Sequence, residues 1–203
     1  MHAPLRYQLT AHDCGPTSVL NALAALFEVN ELPPEVLKHI YAVTLDRYIG
    51  PDGSRGGTSG TSLTYLAWWL NDYASRTGFP VQARALEGDE VTLGEGSFID
   101  EKVKDGAVAV VECCLGYDHY VLVTGIEGDT VKLFDSWYCA WPPSEPMPIR
   151  VVGVIPVDDA PFSHNRLVER RVFEEPSGTA YSLNAKCGRD AVVFWRTDGS
   201  GVS

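Results

Sequence analysis

Apolar residues recur at Val19, Leu20, Leu23, Leu26 and Phe27, the stripe of an amphipathic helix, which predicts a helix over 14–28. Pro33 opens a second short helix over 33–42. A third follows from Leu63, with Leu66, Trp69 and Leu70 on one face, Thr61 or Ser62 as its cap and Gly78 as its end. The glycine-rich stretch 50–62 between the second and third helices has almost nothing apolar and reads as a loop.

The pattern changes after Gly78. Residues 79–86 read as a strand and 98–104 as a short helix. Then come three apolar, β-branched runs of strand length, AVAVVECC (107–114), HYVLVTGI (119–126) and TVKLFDSW (130–137). Glu127-Gly128-Asp129 between the last two is a hairpin signal. Residues 150–157, 165–173 and 190–196 are further strand candidates, and the prolines of 142–148 predict an irregular connection. Helices gather in the first half and strands in the second. That segregation predicts an α+β fold, with the N-terminal helices packed on a mostly antiparallel sheet formed by the C-terminal half. The segment 158–164 divides an expected core, 1–157, from a C-terminal β extension, 158–203, packed on the same domain.

At 203 residues and 45% apolar composition the chain can bury a full core. Its formal net charge of −11, with lysine and arginine scattered, argues against nucleic acid or an anionic membrane surface as partner. No run reaches the roughly 18 apolar residues of a membrane span. The start MHAPLRYQLT lacks a basic region followed by an apolar run. The expectation is a cytoplasmic protein of undetermined oligomeric state. Five cysteines, two of them adjacent and none in a CxxC pair, suggest neither a disulfide framework nor a zinc site. Cys113 and Cys114 read as strand packing, and Cys139 and Cys187 as structural or free thiols. The glycine-rich loop does not match a phosphate cradle and reads as a flap near a cleft.

The chemistry gathers around Cys14. It follows His12-Asp13 and precedes Gly15-Pro16, so it stands at the N-terminal end of the first helix. A thiolate is favoured there by the helix dipole. His119 opens one strand of the predicted hairpin and Asp135 closes the other. A turn at 127–129 pairs residue i with roughly residue 256 − i, which sets His119 opposite about position 137 and within reach of Asp135. A carboxylate beside an imidazole fixes its tautomer, and the imidazole activates a thiol. Gln8 lies just upstream of Cys14, where its amide can join the Cys14 backbone N–H as a donor to a developing oxyanion. Taken singly, each residue has a blander reading: a buried thiol, a strand histidine, a turn aspartate, an exposed glutamine.

Gln8, the run Asp13-Cys14-Gly15-Pro16-Thr17-Ser18, His119-Tyr120-Val121, Gly125 and Asp135, with Gly57-Thr58 before a helix, together resemble the papain-like cysteine peptidases, and more closely their C39-like branch, relatives of the bacteriocin-processing peptidases. The resemblance covers about residues 5–157. It implies a papain-like fold and a thiol hydrolase of peptide or other amide bonds. In it Cys14 is nucleophile, His119 general base and acid, Asp135 orienter and Gln8 oxyanion donor, with no cofactor and no metal. Gly15 and Asp118, which flank Cys14 and His119 in the chain, and Trp137, just past Asp135, are the expected substrate contacts, with Trp141 a further candidate wall. A peptide or protein substrate is the implied partner. The same residues suit two alternatives, a papain-like acyltransferase and an inactive peptide-binding module. The branch often has Asp-Pro where this chain has Asp135-Ser136.

Overall fold

The computed structural model describes residues 1–47, 57–138, 152–175, 178–183 and 185–198. Helices α1 (Cys14–Leu26), α2 (Pro34–Val43) and α3 (Gly60–Thr77) come first. Strand β1 (Val81–Glu87) and helix α4 (Phe98–Lys104) follow. Next come β2 (Val108–Cys114), β3 (Asp118–Glu127) and β4 (Thr130–Phe134), then β5 (Val154–Pro156), β6 (Arg166–Glu169), the single turn α5 (Arg170–Phe173) and β7 (Asp190–Arg196).

The seven strands form one sheet in the order β1-β7-β2-β3-β4-β6-β5, every pairing antiparallel. The protein is therefore α+β, as the segregation of helices and strands predicts. β7, the last strand in the chain, lies inside the sheet between β1 and β2.

Alternation along the strands sends side chains to opposite faces. Val108, Val110, Tyr120 and Leu122 join a core with Leu23, Phe27, Leu66 and Leu70 of α1 and α3. Ala109, Val111, Val121 and Val123 face the other way, against Ile99 and Val103 of α4 and Val172 and Phe173 of α5. The short helices thus add cover on the face away from α1. Both faces of β2 are buried, so its residues are apolar in an unbroken run from Val108 to Val111, with Glu112 a buried charge beyond it.

Three local expectations shift. The cap of α3 is Ser59, not Thr61 or Ser62: its hydroxyl accepts from the Ser62 N–H at 3.1 Å. Ser59 is itself fixed by Asp46, whose carboxylate takes its N–H at 2.9 Å and its hydroxyl at 2.5 Å. The strand expected over 165–173 ends at Glu169, where the chain turns into α5 and buries Val172 and Phe173. The strand expected over 130–137 ends at Phe134, because the Asp135 N–H turns away to the Asn165 side chain at 2.8 Å. The proline connection 142–148, Cys139, Trp141 and most of the glycine-rich loop lie outside the described residues.

Candidate active site

The segment before α1 is wound around Asp13. Its carboxylate accepts from the Leu9 N–H at 3.0 Å, the Thr10 N–H at 2.7 Å and the Thr10 hydroxyl at 2.6 Å. Burial opposes its charge, but these bonds outweigh burial and hold the Asp13 carboxyl below its ordinary value. Cys14 is the first residue of α1 and is buried. One turn on, the Ser18 hydroxyl donates to the Tyr120 carbonyl at 3.0 Å and ties the helix to β3. Thr58 lies so near Gly15 that a Cβ there would stand 2.0 Å from Thr58 Oγ1. Thr58 is held by its bond to the Thr44 carbonyl at 2.5 Å. Glycine at 15 is what allows the approach to α3 to pass directly beside Cys14.

His119 and Asp135 are brought together by the β3–β4 hairpin. Leu122 pairs with Phe134 and Val123 with Leu133, and a bulge follows at Thr124 before Gly125 pairs with Lys132. His119 Nε2 lies 2.8 Å from Asp135 Oδ1, both side chains almost fully buried. The Cys14 side chain lies close enough to the imidazole to favour its charged form. Nε2 is occupied by Asp135, so Nδ1 is the nitrogen left for sulfur. Burial works against a charged imidazole, yet the Asp135 charge, its hydrogen bond and the Cys14 contact prevail and push His119 up to about 10. Burial likewise opposes the Asp135 charge. His119, the Tyr181 hydroxyl and the Trp137 N–H more than offset it, and Asp135 stays below its ordinary value.

Gln8 lies against the end of β4. Its N–H bonds the Ser136 carbonyl at 2.9 Å, and the Ser136 hydroxyl donates to its Oε1 at 2.8 Å. Its Nε2 donates to the Thr10 carbonyl at 2.7 Å, which leaves the second amide proton available. Trp137 meets the site through its backbone, its N–H donating to Asp135 Oδ1 at 2.8 Å, while its ring stands at the surface. Asp118 opens β3 opposite Cys114, and its carboxylate is exposed and paired with Arg47 at 3.1 Å. So Cys14, His119 and Asp135 form one connected group. Gln8 and Trp137 border it at the Asp135 end, Gly15 adjoins Cys14, and Asp118 turns outward.

Four residues join this site without having been anticipated. Tyr117 sets its ring edge-on to His119, with centroids 6.2 Å apart. Ser136 orients Gln8. Asn165 brackets the Asp135 backbone, accepting its N–H at 2.8 Å and donating to its carbonyl at 2.7 Å. Tyr181 donates to Asp135 Oδ2 at 2.7 Å. The Asp135-Ser136 departure from Asp-Pro is a visible signal for Ser136, since proline carries no donor for that bond. Tyr181 lies in irregular chain with no pattern to mark it, and Asn165 opens a run that reads as a strand but stands just outside β6.

Among the described residues, no three His, Cys, Asp or Glu side chains are placed to hold a metal ion, and no helix is long and apolar enough to cross a membrane. No family model and no curated protein sequence matches the chain. Several solved structures are similar to it, two of them as follows. One is a double glycine motif protease from an AMS/PCAT transporter in complex with the leader peptide, at 13% identity and a TM-score of 0.46, covering 96% of this chain and 91% of that one. The other is a C39-like peptidase from Bacillus anthracis, at 15% identity and a TM-score of 0.48, covering 96% of each chain.

Proposed function

We propose that the chain is a papain-like thiol hydrolase that cleaves a peptide or other amide bond. The observation that carries this reading is the buried His119–Asp135 hydrogen bond, with Cys14 near the imidazole at the head of α1. His119 draws the proton from Cys14, and the thiolate attacks the carbonyl carbon. The C–N bond breaks, the imidazolium gives its proton to the leaving amine, and a thioester remains. Water, activated by His119, then releases the acid and restores the thiol. Asp135 holds the ring with Nδ1 toward sulfur and favours its charged form. The free proton of the Gln8 amide and the Cys14 N–H are the donors for the oxyanion.

A peptide suits the surroundings better than a small amide. Tyr7, Trp137 and Tyr138 leave their rings exposed beside Gln8 and Asp135, and Tyr7 packs edge-on to Tyr138 at 5.1 Å. Among the described residues these rings form an exposed aromatic rim, and an extended chain can lie along it.

The test is alkylation of each of the five cysteines, followed by mass spectrometry from about pH 5 to about pH 9, in wild type and in His119→Ala. An activated nucleophile reacts well below the ordinary thiol value of about 8.5. Cys14 is expected to label first near pH 6 and to lose that lead without His119. Labelling of Cys14 no faster than the other four would remove the reading.

A further inference from the structure

Tyr181 is the only non-glycine residue among those described whose φ, +64°, lies in the left-handed region. A bulky side chain is strained there and persists only when its surroundings hold it. They do so here. The Tyr181 N–H bonds the Cys114 carbonyl at 2.7 Å, and the Cys114 N–H bonds the Ser182 carbonyl at 2.9 Å. The segment is therefore laced to the end of β2, directly beside the strand that carries His119. The ring is 2% exposed. Its hydroxyl reaches Asp135 Oδ2 at 2.7 Å, the oxygen that His119 does not use. Burial first, and then the Asp135 charge, push the phenol well above its ordinary value against the opposing charge of Arg166, so it keeps its proton and remains a donor.

With this bond every side of Asp135 is fixed. Oδ1 accepts from His119 and the Trp137 N–H, Oδ2 from Tyr181, and the backbone is held by Asn165. A carboxylate bound only through Oδ1 can rotate about its Cβ–Cγ bond and carry the imidazole with it. We propose that Tyr181 is a positioning residue that acts through Asp135, locking the carboxylate plane and so the orientation of His119 toward Cys14. Its effect on turnover rests on the thiol-hydrolase reading; its effect on the His119–Asp135 hydrogen bond does not.

The experiment follows the far-downfield ring N–H proton that His119 shares with Asp135, by NMR on the full chain. In wild type this proton is expected to exchange slowly with water. Tyr181→Phe keeps the ring but leaves a buried carboxylate oxygen unpaired. A bond to a charged group is worth about 1.5–3 kcal/mol, so exchange is expected to rise about tenfold or more. If the hydrolase reading holds, kcat falls with KM little changed, and the same substitution in an Asp135→Asn background produces no further fall. An exchange rate unchanged in folded Tyr181→Phe overturns the proposal, whatever the activity. A merely structural tyrosine would lower stability in both backgrounds and leave the ring proton alone. A second measurement leaves Tyr181 intact: its hydroxyl proton is expected as a slowly exchanging resonance in wild type that is lost in Asp135→Ala. Fast exchange of that proton in wild type also overturns the proposal. Loss of Cys14 reactivity with the ring-proton effect intact would remove the hydrolase reading and leave the positioning role standing.

Discussion

Gln8 and Ser136 are joined twice, backbone N–H to carbonyl at 2.9 Å and hydroxyl to amide oxygen at 2.8 Å. The pair links the segment entering α1 to the end of β4, so Gln8, the proposed oxyanion donor, and the Asp135 carboxylate are registered against each other. Anchoring Oε1 through Ser136 also decides which end of the Gln8 amide carries donors. Gln8→Ala is expected to lower kcat by about 100-fold with KM nearly unchanged, the scale of losing one oxyanion donor. Ser136→Ala leaves the donor present but loosely held, and a smaller fall of about tenfold is expected. Steady-state kinetics on a cleaved peptide checks both. Equal kcat in Gln8→Ala and wild type would place the oxyanion elsewhere.

His119 gives the protein an alkaline dependence. Its folded value, pushed up to about 10, lies above the ordinary value of 6.5. A raised value means that the folded state holds a proton that the unfolded state has released. The stabilisation is fully present below about pH 6.5 and is lost as pH rises through about 10. Denaturant unfolding from about pH 6 to about pH 10 is expected to show this decline in wild type and not in His119→Ala. Asp135→Asn removes the leading favourable cause and is expected to bring the His119 midpoint down toward 6.5. A His119 titration insensitive to Asp135 would contradict this account.

Gly15 is a steric requirement. A Cβ at 15 would meet Thr58 Oγ1 at 2.0 Å and Thr58 Cβ at 2.5 Å, and Thr58 cannot retreat without losing the Thr44 carbonyl. Gly15→Ala is expected to destabilise the protein by about 1–3 kcal/mol, the range for overpacking. Because Cys14 is adjacent, its alkylation should slow as well. Gly15→Ala combined with Thr58→Gly is expected to cost less than the sum of the single changes, which thermal or denaturant unfolding measures directly.

The hairpin shows how far sequence reading reaches. Placing the turn at 127–129 makes paired residues sum to 256, and Leu122–Phe134 and Val123–Leu133 do. Nearer the turn the sum is 257, because Glu127 pairs with Thr130, and the bulge at Thr124 removes the difference. His119 and Asp135 were therefore legible because both are anchored to strands with a short connection. α1 was legible because its stripe, Pro16 and Gly15 agree. Tyr181 was not, because side chains in irregular segments obey no period, nor was Asn165, because strand alternation in 165–173 says nothing of a bond to Asp135. The position of β7 between β1 and β2 was equally hidden, since strand order depends on which edges remain open when the chain returns.

Arg170, inside a stretch that reads as a strand, carries the most demanding ion pair away from the site. Its guanidinium meets Asp100 Oδ1 at 2.5 Å, donates to the Gly128 carbonyl at 2.7 Å and also reaches the Leu93 carbonyl. Asp100 is 1% exposed. Burial opposes its charge, but Arg170, the Gly96 N–H and Lys104 prevail and bring it to about 2. The bond therefore clamps α4, the β3–β4 turn and α5 together. Arg170→Ala removes the principal partner and leaves Asp100 with Lys104 and the Gly96 N–H alone, so a loss of about 3 kcal/mol is expected. A lowered carboxyl value contributes stability above its ordinary value of 3.8 that is lost as pH falls toward about 2. The loss from Arg170→Ala is thus expected to be full at neutral pH and to shrink below about pH 4, where wild type gives up the same contribution. Denaturant unfolding of both proteins at pH about 7 and about 3 measures the two differences, and an equal difference at both would show that the arginine acts through packing instead of charge.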